Sequence, residues 1–469
     1  MTAIETGSFE SIDVAAVALE ADALRRIPRS LALRHDVLSL FSDGNSITVA
    51  LPDAGDRETI DRVRFATGMH VRTVQASREA IRARLSDAYA NAPHAGAAYG
   101  KGDEAPAIRE LDALHSRAAN ARASDVHVEP CAGGGRVRQR VDGVLHEVRA
   151  LPAELYAQVV SRIKLLAGMD IADRRQPQDG RYPIETSGRS IDARVSSMPT
   201  IAGEKLVIRL LDNHTRIPDL HSLGMPPELA ARFTAAVHAP HGFIVVCGPT
   251  GSGKTTTLYA ALAARNTPGQ NLCSVEDPVE IAIPGVAQVQ VNVRAGVTFA
   301  SALRAFMRQD PNAIMVGEMR DEETAAVAAS ASLSGQLVLT TLHSNDAPRC
   351  VERLLELGVA RHTLAAGLTA VIAQRLVRRL CRRCAARSAQ GCEACGMTGF
   401  SGRSALFEAM FLDDKMRTAI AGGASSVQLC EMALERGYVP MPAEGLRLVR
   451  LGDTSLDELR RVLPVEEAV

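Results

Sequence analysis

The 469-residue chain contains no tryptophan, and aromatic residues make up only 3% of it. It also has almost no net charge, because 53 basic residues stand against 54 acidic ones for a formal net charge of −1. Proteins that track nucleic acid use basic surfaces and aromatic side chains that stack on bases. These absences argue against a nucleic-acid translocase, and we expect no nucleic-acid partner.

A secretion signal and long apolar runs are also missing. The opening segment MTAIETGSFE is acidic and lacks the basic region and apolar core of a signal peptide. The most apolar stretch, AAVAASASLSGQLVLTTL, is interrupted by polar residues, so it predicts a buried helix and strand rather than a membrane span. We therefore expect a cytoplasmic protein that attaches to a membrane only through partners.

Length and a hydrophobic content of 46% indicate several globular domains rather than one core. Residues 1–90 mix strand-like and helical runs and predict a small α/β domain, and residues 91–106, rich in Ala, Gly and Pro, predict a linker. Alternating runs around an Asp-Gly turn begin a second α/β domain at residues 107–215. In residues 216–469, apolar runs such as FIVVC alternate with helical segments, which predicts a parallel sheet covered on both faces.

The most specific motif is GPTGSGKT, which lies between the strand-like FIVVC and the helical TTTLYAALAA, as a phosphate-binding loop requires. Its glycines let backbone N–H groups turn toward phosphate oxygens, and the helix N-terminus adds a positive end. The flanking strand and helix favour a phosphate-binding loop over a plain Gly-rich turn. The predicted nucleotide-binding residues are Gly248, Pro249, Thr250, Gly251, Ser252, Gly253, Lys254, Thr255 and Thr256.

The lysine and a threonine of this motif carry the predicted chemistry. Only five of the 53 basic residues are lysines, so Lys254 in this position is informative. Its ammonium can reach the β- and γ-phosphates, and the Thr255 hydroxyl can bind Mg²⁺. The predicted cofactors are therefore ATP and Mg²⁺.

Further polar residues follow other apolar runs at strand ends. Glu318 follows AIMV, the segment VEDPVE follows another predicted strand, and His343 follows LVLTT. An acidic residue at such a strand end faces the nucleotide crevice and can polarise the attacking water or help to hold the metal. Ordinary loop residues also occupy such positions, so the residues alone leave both roles open.

The motif series resembles a known family. With GPTGSGKT, the segments SVEDPVE, RQDPNAIMVGEMRD, TTLHSND and IAQRLVRRLC resemble the secretion ATPases of the type II secretion and type IV pilus superfamily, in particular the general secretory pathway protein E group. The match runs from about residue 107 to residue 462, and the first 90 residues resemble the family's docking domain. Such an ordered set is more specific than any single motif.

The resemblance implies a RecA-like P-loop NTPase domain, preceded by a PAS-like α/β domain and a small N-terminal α/β docking domain. It implies a homo-hexameric ATPase at the cytoplasmic face of the inner membrane that drives pseudopilus assembly and type II secretion. The implied partners are the cytoplasmic domain of the inner-membrane anchor protein, bound by the N-terminal domain, and the inner-membrane platform protein. A type IV pilus extension ATPase with the same motifs is the alternative.

The resemblance also implies roles for single residues. Glu318 corresponds to the Walker B glutamate, Glu276 and Asp277 of the aspartate box lie near metal and water, and His343 faces the γ-phosphate. Arg194 in DARVS and Arg209 in VIRLL match arginines that the second domain presents to the γ-phosphate, where they stabilise the transition state. An intact Lys254 and Glu318 argue against a non-hydrolysing, nucleotide-gated scaffold.

Two Cys-x-x-Cys pairs in CRRCAARSAQGCEACG predict a short metal lobe at residues 381–395. Nine cysteines in a cytosolic chain indicate thiols and metal rather than disulfides. Four thiolates suit structural zinc and leave no open position for a catalytic water, and no thioredoxin-like setting is evident. The predicted zinc ligands are Cys381, Cys384, Cys392 and Cys395, with free thiols as the alternative.

Overall fold

A computed structural model describes residues 12–15, 17, 19–27, 29–90, 106–186, 189–212, 217–384 and 391–464. The predicted linker at 91–106 lies outside these ranges except for its last residue, and so does the predicted boundary between residues 215 and 216. The chain divides into two units, residues 1–141 with 145–211 and residues 142–144 with 212–469. The predicted domain limits therefore stay predictions.

The N-terminal elements form a three-stranded sheet with helices, as the mixed sequence pattern predicts. Strands β1 and β2 are antiparallel, and β2 and β3 are parallel. Leu40, Ile47, Val49 and Ile81 are fully buried in the core of this sheet and its helices. The elements are α1 (Ala21–Arg26), α2 (Arg29–Arg34), β1 (Leu38–Asp43), β2 (Ser46–Leu51), α3 (Arg57–Thr67), β3 (His70–Gln75) and α4 (Arg78–Ala90).

The next elements form a six-stranded sheet in the order β6-β5-β4-β9-β8-β7. Leu111 on α5 and Ile163 on α6 share one core with Val126 and Val128 of the central strand β4. The predicted Asp-Gly turn is observed, with positive φ at both Asp142 and Gly143. The elements are α5 (Pro106–Asn120), β4 (Asp125–Cys131), β5 (Gly134–Val141), β6 (Val144–Pro152), α6 (Ala153–Leu166), β7 (Gln178–Thr186), β8 (Arg189–Thr200) and β9 (Gly203–Asp212).

The remaining elements are built around a seven-stranded sheet in the order β12-β11-β13-β14-β10-β15-β16. Its pairs are parallel except for the antiparallel pair β15–β16. The elements are α7 (Pro227–Val237), β10 (Gly242–Cys247), α8 (Lys254–Arg265), β11 (Leu272–Glu276), β12 (Val286–Gln290), α9 (Phe299–Phe306), β13 (Ala313–Val316), α10 (Glu322–Leu333), β14 (Leu337–Leu342), α11 (Ala347–Glu356), α12 (Arg361–Gly367), β15 (Leu368–Leu380), β16 (Phe400–Phe411), α13 (Asp414–Ala421), α14 (Ser426–Leu434), α15 (Met441–Arg450) and α16 (Leu456–Val462).

Both faces of this sheet are covered, which confirms the α/β prediction. All six residues of β10 are buried, and they alternate between two cores. Phe243 and Val245 pack into the core that also contains residues of α9, α10 and α11. Ile244 and Val246 pack on the opposite face, against α7 and α8. Because strand side chains alternate between faces, a strand buried on both sides is apolar at every position.

The most apolar stretch of the chain forms most of α10 and all of β14, as its pattern predicts. The helix ends before the strand begins, and Ser334, Gly335 and Gln336 form the turn between them. Among the residues that the structure describes, no helix is both long enough and apolar enough to cross a membrane.

Candidate nucleotide site and metal centre

Four neighbouring parallel strands bring distant sequence motifs to one edge of the large sheet. Strands β11, β13, β14 and β10 are consecutive in it. Glu276 ends β11, Glu318 lies two residues after β13, His343 follows β14 and Gly248 follows β10. The ring of His343 also forms a hydrogen bond with the backbone of Gly248. The carboxyl edge of a parallel sheet is where such folds bind ligands.

The loop after β10 needs glycine because other backbone lies against it. Gly248 has a φ of +152°, and a Cβ built there would lie 2.4 Å from the carbonyl oxygen of Gln374. Gly253 has a φ of +87° and is the N-cap of α8. These glycines allow the loop to curl over the N-terminus of α8, where backbone N–H groups can donate to an anion.

The side chains of the loop fit a bound phosphate. The Lys254 ammonium donates hydrogen bonds to the carbonyl oxygens of Gly248 and Pro249, each at 2.9 Å. Burial lowers the pKa of Lys254, so an anionic partner there stabilises its charge. The Ser252 hydroxyl is buried and has no hydrogen-bond partner among the described residues. Thr255 is half-buried at the first turn of α8, as a residue that contacts a metal–phosphate group requires.

Glu318 and Asp277 share one cationic partner. Arg320 forms an ion pair with Glu318 through Nη2 and lies 3.8 Å from the Asp277 carboxylate through Nη1. The Glu318 side chain is 20% exposed and that of Asp277 43% exposed. Both carboxylates are therefore accessible at the same edge of the sheet.

Glu276 differs from its neighbour Asp277 because it is only 2% exposed. Its carboxylate accepts hydrogen bonds from the Tyr259 hydroxyl, from Ser274 Oγ at 2.5 Å and from Gln288 Nε2 at 3.0 Å. Burial raises the pKa of Tyr259, so this hydroxyl stays protonated and donates. The resemblance implies a place near metal and water for both acids, and only Asp277 presents an exposed carboxylate.

His343 is exposed at the end of β14. Its partial burial and the nearby Lys254 charge lower the pKa of the imidazole. The ring is therefore neutral at neutral pH and can donate one hydrogen bond and accept another.

Two residues of β15 lie beside the phosphate-binding loop at Gly248, and sequence reasoning assigned them no role. Gln374 accepts a hydrogen bond from Thr257 Oγ1 of α8 at 2.7 Å. Arg375 donates through Nη2 to the carbonyl oxygen of Asn345 at 3.0 Å, just beyond His343. Both side chains are buried. One sequence feature could have indicated a role for them: Gln and Arg are adjacent within the apolar strand segment IAQRLV. Burying two such polar side chains without hydrogen-bond partners is unfavourable.

The two predicted arginines lie on the six-stranded sheet of the other unit. Arg194 is half-buried on β8, opposite Arg181 of β7. Arg209 on β9 is 64% exposed and pairs with Asp125, with 3.2 Å between its Nε and the carboxylate. Their approach to a nucleotide stays a prediction.

The four predicted cysteine ligands lie together, with every sulfur within 4.8 Å of the others. The Cys381–Cys392 sulfur distance is 3.9 Å, and the Cys384–Cys395 and Cys392–Cys395 distances are 3.8 Å. Zinc–sulfur bonds of ~2.3 Å in a tetrahedron put the sulfurs ~3.8 Å apart. The donor set therefore fits one tetrahedral metal ion.

The cysteines connect the last two strands of the sheet. Cys381 and Cys384 follow β15, Cys392 and Cys395 precede β16, and residues 385–390 between them lie outside the described ranges. The Cys381 N–H donates to the carbonyl oxygen of Gly399 at 2.8 Å. A metal ion here would fasten the antiparallel pair β15–β16 at the end where the two strands are connected.

A buried ion pair holds the neighbouring part of β15. Arg378 donates to both carboxylate oxygens of Glu458 on α16, through its backbone N–H at 2.9 Å and its guanidinium at 2.8 and 3.0 Å. Burial on its own raises the pKa of Glu458, but hydrogen bonds from Arg461 and Arg378 lower it to about 2. The strand that leads into the cysteine lobe is thus anchored to the C-terminal helix.

Comparison with known families accounts for nearly the whole chain. The model of the type II/IV secretion system protein family matches residues 100–461, and the MshEN domain model matches residues 8–95. The chain belongs to the type II/IV secretion system protein family. This confirms the resemblance predicted from the motifs and, with it, the enzyme class, an ATPase.

Relatives of both secretion and pilus type occur within the family. The chain is 48% identical to the type II secretion system protein HxcR of Pseudomonas aeruginosa, over 77% of this chain and 78% of that protein. It is 42% identical to the type II secretion system protein E of Klebsiella pneumoniae, over 78% of each. It is 38% identical to the type IV pilus assembly ATPase PilB of Myxococcus xanthus, over 94% of this chain and 86% of that protein.

Two solved ATPase structures share the fold. The pilus retraction motor PilT with bound ADP is 25% identical, with a TM-score of 0.54 over 76% of this chain and 98% of that one. The Legionella pneumophila ATPase DotB is 19% identical, with a TM-score of 0.60 over 77% of this chain and 97% of that one. These likenesses support the predicted fold class of this family member.

Proposed function

We propose that the protein is a cytoplasmic ATPase motor that hydrolyses ATP to drive pseudopilus assembly and protein export by a type II secretion system. One observation carries this proposal. The phosphate-binding loop, Glu318 and His343 meet at the carboxyl edge of four consecutive strands. The secretion assignment is supported by the 48% identity to a type II secretion protein.

The proposed roles follow from where the side chains lie. The loop from Gly248 to Thr256 holds the ATP phosphates, with the Lys254 ammonium on the β- and γ-phosphates and the Thr255 hydroxyl on Mg²⁺. When bound, Mg²⁺ neutralises the charge that develops on the transferring phosphoryl group. Glu318 orients and polarises the attacking water, and Asp277 lies beside it.

Four further residues have proposed roles at the site. His343 faces the γ-phosphate, and its ring hydrogen-bonds to the backbone of Gly248 in the loop. Its lowered pKa favours the uncharged ring at neutral pH. Arg194 and Arg209, from the other unit, supply the arginine charges that stabilise the transition state. Glu276 holds the β11 end in place from within the core, through Tyr259, Ser274 and Gln288.

A type IV pilus extension ATPase is the second candidate, because the PilB relative matches 94% of this chain, including the N-terminal region. Removing the gene from the source bacterium separates the two. We expect loss of secreted proteins from the culture medium with surface pili retained, and restoration by the wild-type gene but not by Lys254→Ala. Loss of pili with normal secretion would replace the proposed function by the pilus alternative.

We also propose that the N-terminal region docks the motor on the cytoplasmic domain of an inner-membrane anchor protein, a role supported by the separate domain match at residues 8–95. The motor acts as a homo-hexamer against an inner-membrane platform protein. Removing residues 1–95 should move the protein from the membrane fraction to the cytosol while the purified remainder keeps its ATPase activity. Lys254→Ala is the control that stays at the membrane, and a truncated chain that still sediments with membranes contradicts docking.

A further inference from the structure

Arg320 lies in the segment GEMRD, two residues after Glu318, and the phosphate-binding chemistry gives it no role. Its guanidinium contacts two acidic side chains from different loops. Nη2 pairs with Glu318, which follows β13, and Nη1 lies 3.8 Å from Asp277, which follows β11. One side chain therefore links the polar ends of two neighbouring strands.

Stability alone does not account for this arrangement. The Arg320 side chain is 61% exposed, and an ion pair of such exposure contributes little to folding because water screens it. The chain offers a matched example in Arg304 and Glu323, which pair at 2.7 Å with 50% and 60% exposure between α9 and α10. What distinguishes Arg320 is that its partners are the two accessible carboxylates of the proposed site.

The charges at this edge call for a cation between the two acids. Glu318 and Asp277 carry like charges, and their repulsion would push the side chains apart. Lys254 donates instead to the loop carbonyls of Gly248 and Pro249, and the lowered pKa of His343 leaves its ring neutral. Arg320 thus supplies the positive charge that lets both carboxylates lie close to one another.

We propose that Arg320 is a positioning residue for the reaction, which holds the Glu318 carboxylate beside Asp277 so that it is aligned on the attacking water. This inference rests on the proposed ATPase function. A guanidinium suits the task because its planar fork of donors can engage two carboxylates at once, whereas an ammonium is a compact charge. In this proposed role, Arg320 acts through Glu318 rather than by direct contact with the phosphates or the water.

The test compares full-length wild-type protein with Arg320→Ala, Arg320→Lys and the control Arg304→Ala. Steady-state kinetics give kcat and KM, and fluorescence titration with a non-hydrolysable ATP analogue gives Kd. A catalytic group that is out of position accelerates the reaction much less. We therefore expect Arg320→Ala, which leaves Glu318 without its partner, to lower kcat by about ten-fold or more. Kd should change by less than about three-fold, Arg320→Lys should recover part of kcat, and Arg304→Ala should match wild type.

A double variant separates positioning from a merely structural role. Because Arg320 acts through Glu318, adding Arg320→Ala to Glu318→Gln should lower the single-turnover rate no further. An independent additional loss, an unchanged kcat for Arg320→Ala, or a rise in Kd that matches the fall in kcat would each overturn the inference. Suppose that the wild type hydrolyses ATP, that Lys254→Ala does not, and that Arg320→Ala has normal activity. The inference about Arg320 then fails while the proposed function stands. A wild-type protein without ATPase activity overturns both.

Discussion

Replacing Lys254 by alanine should lower Mg²⁺-dependent ATP turnover by at least about 100-fold, because the lost ammonium both holds the phosphates and stabilises the transition-state charge. In the structure this ammonium is buried and bonded to the loop carbonyls at 2.9 Å. The variant should also bind the nucleotide more weakly. Phosphate release from purified protein measures the first effect, and fluorescence titration measures the second.

The matched control for this substitution is Lys415→Ala, which removes an exposed lysine from α13. It should leave turnover unchanged. Wild-type turnover in Lys254→Ala would contradict the assignment of the phosphate-binding loop.

Glu318→Gln tests the chemical step separately from binding. The amide keeps the size of the side chain but removes the charge that polarises water, so kcat should fall by about 100-fold or more while the Kd for ATP stays near wild type. Glu323→Gln is the same change at an exposed position of α10 and should have no effect. A Glu318→Gln variant with normal kcat would show that another group orients the water.

Removing the metal from the cysteine lobe is the third change for which we expect a large effect. Protein purified under reducing conditions should contain one zinc per chain by metal analysis, and Cys384→Ser should lose it. Structural zinc contributes on the order of 10 kcal/mol to the folding of zinc-finger peptides. Removing zinc from the wild-type chain with a chelator should therefore lower its melting temperature markedly.

The geometry gives the reason for this expectation. Sulfur distances of 3.8 to 3.9 Å match a tetrahedral thiolate site. Four sulfurs would fill the coordination sphere of a bound ion, so such an ion would support the structure and take no part in hydrolysis. Zinc should join the ends of β15 and β16, and its loss should loosen that hairpin.

Cys131→Ser is the control for this experiment, because Cys131 is exposed at the end of β4 and lies outside the cluster. It should retain the full metal content and melting temperature. A reduced wild-type chain that contains no metal would contradict the zinc prediction and favour free thiols.

The sequence predicted what depends on local patterns. The loop GPTGSGKT and the strands at Gly242–Cys247 and Ala313–Val316 are each specified by residues within a short window. The clustering of the four cysteines was also predictable, because two Cys-x-x-Cys turns each place two sulfurs on one side.

Other site residues could not be read from the sequence because the order of strands decides their neighbours. Gln374 forms a hydrogen bond with Thr257, which lies 117 positions away in the sequence. The two residues meet because β15 pairs directly with β10, the strand that precedes α8. The burial of Glu276 depends on Tyr259 of α8 and Gln288 of β12. Nothing in VEDPVE distinguishes the buried acid from its exposed neighbour Asp277.

The amino-acid sequence by itself thus determined several elements, the phosphate-binding loop, the cluster of four cysteines and the family. Local periodicity, turn chemistry and motif spacing act over a few residues and need no knowledge of the fold. Only the tertiary structure decided that Arg320 joins Glu318 to Asp277 and that Gln374 and Arg375 lie beside the phosphate-binding loop. Those contacts arise because a parallel sheet places the ends of sequence-distant strands side by side.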